Sequence, residues 1–301
     1  MADVLNTVYD TDDAFIREFG PDVQDEYDKT QSFLRPTVRE RSGVTGYSTR
    51  FQKVGGAAVP QPWETSNRAE VPMVEIKHDY VDCAITDRVI GIPVSKFDQL
   101  KTNIDERSAV RRQIVYGGRQ SEDKVIASAL DAGAVSADAR IDKTSSGSLD
   151  QAAYQALFSY FGNKDVPDDG ERWGALSHNA WNDLLSIEQV AKKDWVREED
   201  LPFSGNRIPM VLTHYGIRNM AVPHLPKNAA GTVRYSYFYH RTAMGYAIQQ
   251  EFNVISGFNI AKHTNQFNSE VADGAVAIDT NAIVRLDLAE TAGEGAIVTM
   301  P

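Results

Sequence analysis

The chain has almost no cysteine: one residue, Cys83, in 301. No intrachain disulfide can form, which matches a reducing compartment, and no paired Cys spacing offers a structural zinc site. No apolar run approaches the roughly 18 residues that a membrane-crossing helix needs, so no span and no membrane partner are expected. The opening MADVLNTVYDTDD lacks the basic start and apolar stretch of a signal peptide, so a soluble protein that stays in the cytoplasm is expected. Positive charge is also short. The formal net charge is -11, and an acidic surface is repelled by phosphate, which argues against sequence-specific nucleic-acid binding.

Catalytic signatures are missing too. There is no HExxH, no GxSxG elbow, no Walker loop and no GxGxxG. The histidines, His78, His178, His214, His224, His240 and His263, are scattered and read as packed or surface residues. His78 and Asp79 are adjacent on a strand pattern and would point to opposite faces. No catalytic residue, metal or cofactor is expected.

What is present is an ordinary globular composition, 42% hydrophobic and 24% charged, with length for one or two domains. The charge is segregated. Residues 1–30 carry Asp3, Asp10, Asp12, Asp13, Glu18, Asp22, Asp25, Glu26 and Asp28 against Arg17 and Lys29. Residues 35–53 reverse the sign, with Arg35, Arg39, Arg41, Arg50 and Lys53 against Glu40. Two readings stay open: a solvated tail before an ordinary charged segment, or an arm whose acidic part reaches a basic patch on a neighbouring subunit. Salt would weaken the second.

Gly43 to Val54 reads as a strand, with Gly46, Gly55 and Gly56 as turn residues around it. Ala57 to Pro72 holds Pro60, Pro62, Pro72 and one large aromatic, Trp63; proline stiffens a path without completing a sheet, so an extended loop tip is expected. The return, Met73 to Val94, is strand-like. Val74, Ile76, His78 and Tyr80 share one face, then Val81, Cys83 and Ile85 the other. That parity change predicts a bulge or bend at Tyr80–Val81. Cys83 is expected to be a small buried hydrophobe. A two-stranded ribbon is marginal alone and needs a surface to lie on.

Ser95 with Asp98 predicts a short helix. A long one then opens at Asp105 and stops at Gly133. Val110, Ile114, Gly118, Ser121, Val125, Ala129 and Ala132 recur at helical spacing, and Ile126 and Leu130 widen the stripe. Gly117 and Gly118 predict a kink or a close helix contact. The polar face carries Arg107, Arg111, Arg112, Arg119, Glu122 and Asp123. Its arginines read as solvated, or as partners for a neighbour's acids.

Residues 134–147 are small and polar, a natural boundary. Ser148 and Gln151 predict a capping box for a helix carrying Leu149, Ala152, Ala153, Ala156, Leu157 and Tyr160. Trp173 to Leu176 predicts a strand, Asn179 a cap for a helix with Trp181, Leu184, Leu185 and Val190, Pro202 to Pro209 a loop, and Met210 to Tyr215 a strand. Tyr239 to Phe252 reads as helical. Late strands are expected at Val254 to His263, Val276 to Ile278 and Ile283 to Leu288, with Asp273–Gly274 as a turn between them. Tyr235, Tyr237, Phe238 and Tyr239 could stack on bases, but with no basic groove around them core or subunit contact is the better reading. The class is α+β.

Several segments carry a resemblance: GVTGYSTRFQKVGG before the loop tip, VEIKHDYVDCAITDRVIGIPVSKFD after it, the helix DERSAVRRQIVYGGRQSEDKVIASAL, then ALSHNAWNDLL, SYFYHRTAMGYAIQQEF and DGAVAIDTNAIVRLDLAET. Over nearly its whole length the chain resembles the HK97-type major capsid proteins of tailed bacteriophages, those of short-tailed phages in particular. The resemblance implies an N-terminal arm at 1–40, an extended E-loop at 41–90, a peripheral domain at 91–144 and 254–301 with a spine helix, and an axial domain at 145–253. It implies copies assembled as hexamers and pentamers of an icosahedral shell, enclosing double-stranded DNA without sequence-specific binding. It makes Arg39, Arg41, Arg50, Lys53, Pro60, Pro62, Trp63, Arg111, Arg112 and Arg119 candidate subunit-interface residues. No long N-terminal extension acts as built-in scaffold, so a separate scaffolding protein is expected, with a portal and a decoration protein as further partners. The location implied is the virion capsid, with assembly in the host cytoplasm. The Lys–Asn crosslink of some relatives is not assignable from Lys53 or Lys77. An encapsulin-like nanocompartment and a gene transfer particle shell are the alternatives, and a cytosolic hydrolase using His and Asp is the remote one.

Overall fold

The computed structural model describes residues 32–55, 73, 75–95, 106–134, 139–144, 148–191, 210–260, 262 and 264–289, apart from the side chains of residues 95, 106–111 and 191. A turn of 3-10 helix, Arg35–Thr37, comes first; its proline sits where no N–H partner is needed. Then follow β1 (Arg39–Ser42), β2 (Ser48–Gly55), β3 (Lys77–Ala84), β4 (Thr86–Ser95) and the long helix α1 (Glu106–Gly133). The central stretch holds β5 (Arg140–Lys143), α2 (Gln151–Asn163), β6 (Arg172–Leu176), α3 (His178–Ser186) and α4 (Glu188–Ala191). The last part holds strands with two short 3-10 turns between them: β7 (Val211–His214), β8 (Ile217–Ala221), β9 (Val233–His240), β10 (Met244–Asn259), β11 (Thr264–Ala277) and β12 (Ile283–Ala289). Among the described residues no helix is long and apolar enough to cross a membrane.

The strands form three sheets: β1-β10-β11-β4, β5-β12-β9-β6-β8-β7, and the β2-β3 ribbon. The class is α+β, as expected. Helix α1 joins the two larger sheets. Ile114 packs with Val94 and Phe267 of the four-stranded sheet. Further along, Ile126 and Leu130 enter the main core, with Tyr154, Leu157 and Phe161 of α2 and Tyr237, Phe238 and Tyr239 of β9. Those aromatics are core, the reading the sequence favoured. The ribbon is anchored at its base by a small cluster, Phe51, Cys83, Ala247 and Ile278. Cys83 is buried, as expected.

Several expectations need correction. Tyr239 to Phe252 is not a helix; it is the end of β9, a 3-10 turn at Arg241–Ala243 and the start of β10. Met244 to Ile248 are all buried, and a strand covered on both faces reads as a continuous apolar run that periodicity cannot separate from a helix. Asp273 and Gly274 are not a turn but lie inside β11, opposite Ile248 and Ala247. The ribbon register runs unbroken from Ser48↔Ala84 to Gly55↔Lys77, so the bend falls at Ile85, between β3 and β4, and not at Tyr80–Val81. The apolar face changes there because Ile76 and Tyr80 are about half exposed, at 49% and 52%.

Smaller shifts follow the same logic. The strand expected from Gly43 starts at Ser48, because Gly43 and Gly46 turn the chain with positive φ of 69° and 100°. The helix caps are Asp150 and Ser177, accepting from Ala153 N and Ala180 N, and not Ser148 and Asn179. Gly118 does meet a close neighbour, but it is the Phe252 ring of β10 and not a helix. Ala132 is exposed, while Glu122 and Asp123, placed on the polar face, are buried. The loop tip Ala57 to Pro72, the helix expected near Ser95 and the loop Pro202 to Pro209 lie outside the described residues.

Two expectations follow. A Cβ at Gly274 would overlap the Ala84 carbonyl, which is backbone and cannot swing aside, so Gly274→Ala should cost roughly 1–3 kcal/mol by denaturant unfolding. His214 sits between the rings of Tyr154 and Tyr215, 4.8 Å from each, with Nε2 3.3 Å from Gln151 Oε1. Burial pushes its pKa below 6.5. The folded state then binds this proton more weakly than the unfolded chain, so its contribution is constant above 6.5 and stability falls as pH drops through 6.5 toward the folded value. His214→Gln should flatten that acid slope in unfolding midpoints taken between about pH 7.5 and about pH 5.5.

Candidate subunit-interface site

Where residues 32–37 meet α1, the chain is held by buried polar bonds. Asp123 is 2% exposed. Its Oδ1 accepts from Ser32 Oγ at 2.6 Å, Phe33 N at 3.0 Å and Leu34 N at 3.0 Å. Thr37 hydroxyl, also buried, shares a hydrogen bond with the Tyr239 hydroxyl. Arg35 binds Glu40 at 2.7 Å and Glu251 at 2.7 Å, and lies 3.7 Å from Glu122. Those bonds draw Glu251 below the usual carboxylate range and hold Arg35 more firmly protonated. Glu122 goes the other way: burial raises it, although Arg119 and Arg35 oppose the rise.

Next to this junction lies a basic groove of about 390 Å³, lined by Arg39, Glu40, Arg41, Arg50, Phe51 and Gln52. One wall is β1, exposed at all four residues and, among the described residues, paired to β10 alone. The other is β2. Arg41 Nη1 donates to the Arg50 carbonyl at 2.9 Å, tying the walls together. Arg39 lies 6.0 Å from the Phe51 ring centre. Arg50 stacks over Tyr80 at 4.3 Å and pairs with Asp82 at 2.9 Å.

Of the candidate interface residues, the structure thus brings Arg39, Arg41 and Arg50 around one groove. Lys53 points elsewhere, to Asp279 at 2.9 Å. Arg119 is half-buried and pairs with Glu122 of its own helix at 3.1 Å. Arg112 is exposed. The Arg111 side chain, Pro60, Pro62 and Trp63 lie outside the described residues.

Sequence reasoning missed Asp123, Glu122 and Glu251. A signal existed for Glu122: it falls four residues from Gly118 and four from Ile126, in the row that faces the core.

His240 is buried and pairs with the exposed Asp169. Nε2 meets Asp169 Oδ1 at 3.0 Å, while Nδ1 accepts from Thr242 N. Both ring nitrogens are engaged within the chain. No group of three or more His, Cys, Asp or Glu among the described residues could hold a metal.

A family model described as phage capsid protein matches residues 11–290. No curated protein matches the chain. Among solved structures, the capsid of cyanophage P-SCSP1u is similar, with a TM-score of 0.70 and 16% identity over 91% of this chain and 93% of that one. Mycobacterium phage Che8 gives 0.67 and 18%, over 90% and 97%. The capsid of a native GTA particle gives 0.66 and 14%, over 96% and 100%.

Asp123→Ala should be among the costliest single changes in the chain. It leaves the Phe33 and Leu34 amides unpaired, for a loss of roughly 3 kcal/mol in denaturant unfolding. Glu122→Gln should cost much less, because it also relieves a buried charge.

Proposed function

The chain belongs to the phage capsid protein family, and from that premise we propose how it works: it is a major capsid protein whose copies assemble into an icosahedral shell, the capsid of a virion. The observation that carries the reading is the β2–β3 ribbon. It is fixed at its base by Phe51 and Cys83, yet Val54, Ile76 and Tyr80 stand 61%, 49% and 52% exposed. A ribbon of two strands is marginal in water, and a neighbouring subunit supplies the missing surface. Burial of roughly 100 Å² of apolar area is worth about 2.5 kcal/mol before entropy costs. Each such contact is weak, so misplaced subunits can leave, while a closed shell multiplies the contacts.

In detail, copies group as hexamers and pentamers around double-stranded DNA, and assembly takes place in the host cytoplasm. Residues 1–40 act as the arm, 41–90 as the E-loop, 91–144 and 254–301 as the peripheral domain and 145–253 as the axial domain. Strand β10 runs across the last of these boundaries, and β12 hydrogen-bonds to β9, which supports domains that share sheets over domains joined by a linker. Arg39, Arg41, Arg50, Lys53, Arg111, Arg112, Arg119, Pro60, Pro62 and Trp63 contact neighbours. A separate scaffolding protein, a portal and a decoration protein complete the set of partners. The role is structural.

A gene transfer particle shell is the second reading, supported by the likeness to the GTA capsid over 96% of this chain. Electron microscopy of the protein expressed with and without its neighbouring scaffold gene tests the proposal. Closed, uniform shells are expected, and a discrete small oligomer in both preparations would overturn it. Sequencing the enclosed DNA separates the two readings: one repeated genome marks a virion, and mixed host fragments mark a gene transfer particle.

A further inference from the structure

We propose that Asp169–Gly170 is a self-modification site, at which the folded chain isomerises to isoaspartate, and that His240 restrains the reaction. Isoaspartate forms where a backbone amide nitrogen attacks the side chain of the aspartate before it. Glycine favours the attack because no side chain shields its nitrogen or restricts its backbone. The sequence holds two Asp–Gly pairs, Asp169–Gly170 and Asp273–Gly274, and no Asn–Gly pair. The fold treats the two in opposite ways.

Asp273 is closed to the reaction. It is 1% exposed, and Arg88 and the Tyr246 hydroxyl engage its carboxylate. Gly274 lies inside β11, opposite Ala247, with the Ala84 carbonyl against it. A strand held in its ladder cannot bend into a ring without first coming apart.

Asp169 is open. Its side chain is 51% exposed, and it lies with Gly170 in a bend outside every described helix and strand. Gly170 has a φ of 78°, which a side chain would resist. Its amide has no hydrogen-bond partner among the described residues, so the attacking nitrogen is unoccupied. The chain on either side is anchored, because the buried Arg172 donates to the Val166 and Pro167 carbonyls. Bending at Asp169–Gly170 therefore leaves β6 in place.

The reaction needs no co-reactant but water. The Gly170 nitrogen bonds to Asp169 Cγ. The amide proton leaves with the carboxyl hydroxyl as water, and a succinimide remains. Water then opens the ring at the main-chain carbonyl of Asp169, which restores the mass and routes the backbone through Cγ. The first step requires a protonated carboxyl, because an ionised one is a poor electrophile. Here His240 acts. Its Nδ1 accepts from Thr242 N, so Nε2 carries the hydrogen that meets Asp169 Oδ1 at 3.0 Å. With the Glu171 amide, also at 3.0 Å, that bond holds the carboxyl below the usual carboxylate range. Isomerisation removes this partner from a buried ring at the end of β9.

The test holds the purified full chain for weeks at neutral pH and physiological temperature. Electron-transfer mass spectrometry of its peptides separates isoaspartate from aspartate. Isoaspartate should accumulate at Asp169 and stay at background at Asp273, whereas both pairs should react in urea. Asp273 thus reports any loss of fold within the same sample. His240→Asn, whose amide reaches only to where Nδ1 stands, should raise the Asp169 yield several-fold. His240→Gln, whose amide reaches to where Nε2 stands, should keep the parent's rate. Asp169→Asn loses ammonia from an uncharged amide and should convert faster than the parent.

No isoaspartate at Asp169, or equal yields at the two pairs in the folded protein, overturns the site. So does a folded Asp169→Asn chain that stays intact, since its bend then cannot reach the ring. An unchanged yield in His240→Asn, with Asp273 silent, overturns the role of His240. Should Asp273 react in that variant, the parent decides instead: an Asp169 rate as fast in the folded protein as in urea overturns the restraint.

Discussion

A carboxylate withdrawn from water persists only where fixed donors replace the solvent it has lost, and Asp123 meets that condition through three of them. The first part of the described chain depends on it. Asp123 fixes the direction in which residues 32–34 cross α1, and this carries Leu34 and Val38 into the main core. Only then does β1 lie parallel on β10, from Arg39↔Gly245 to Ser42↔Ile248. All four residues of β1 are exposed, so the strand gains little from its own burial. Its position, and with it one wall of the basic groove, is set from upstream.

A second constraint is made of missing atoms. The Phe51 ring lies over Gly245, the Ala84 carbonyl over Gly274, the Phe252 ring over Gly118, and Ala277 with Ile283 over Gly133. In each pair the neighbouring group lies closer to the glycine than a β-carbon would allow, and at Gly274 that group is itself backbone. These four contacts join the ribbon to the four-stranded sheet, and α1 to both large sheets. The ribbon's hold is narrow, which is why so much of its apolar surface is left for another molecule.

The sequence was most readable where one face is wet. Helix α1 ends at Gly133 as its stripe implied, and α2, β6 and β7 lie where the patterns put them. It misled where a segment is covered on both sides. Met244 to Ile248 is such a segment, and the Asp273–Gly274 pair looked like a turn because a buried acid and a bare glycine resemble one. Asp273 is in fact satisfied by Arg88 and by the Tyr246 hydroxyl, partners 185 and 27 residues away that no local pattern can show. The site was half legible. Charge reversal between residues 1–30 and 35–53 pointed to the basic groove, but helical charge patterning hid the inward role of Glu122 and Asp123.

Cys83 sits at the root of the ribbon, sealed by Phe51, Ala247 and Ile278. It is the only sulfur in the chain able to form a disulfide, and its thiol is kept protonated far above neutral pH. A particle built from this subunit carries no redox memory. Moved from a reducing interior to an oxidising exterior, its subunits gain no disulfide of their own and lose none, so its endurance depends on shape and charge and not on the oxidation state of its surroundings.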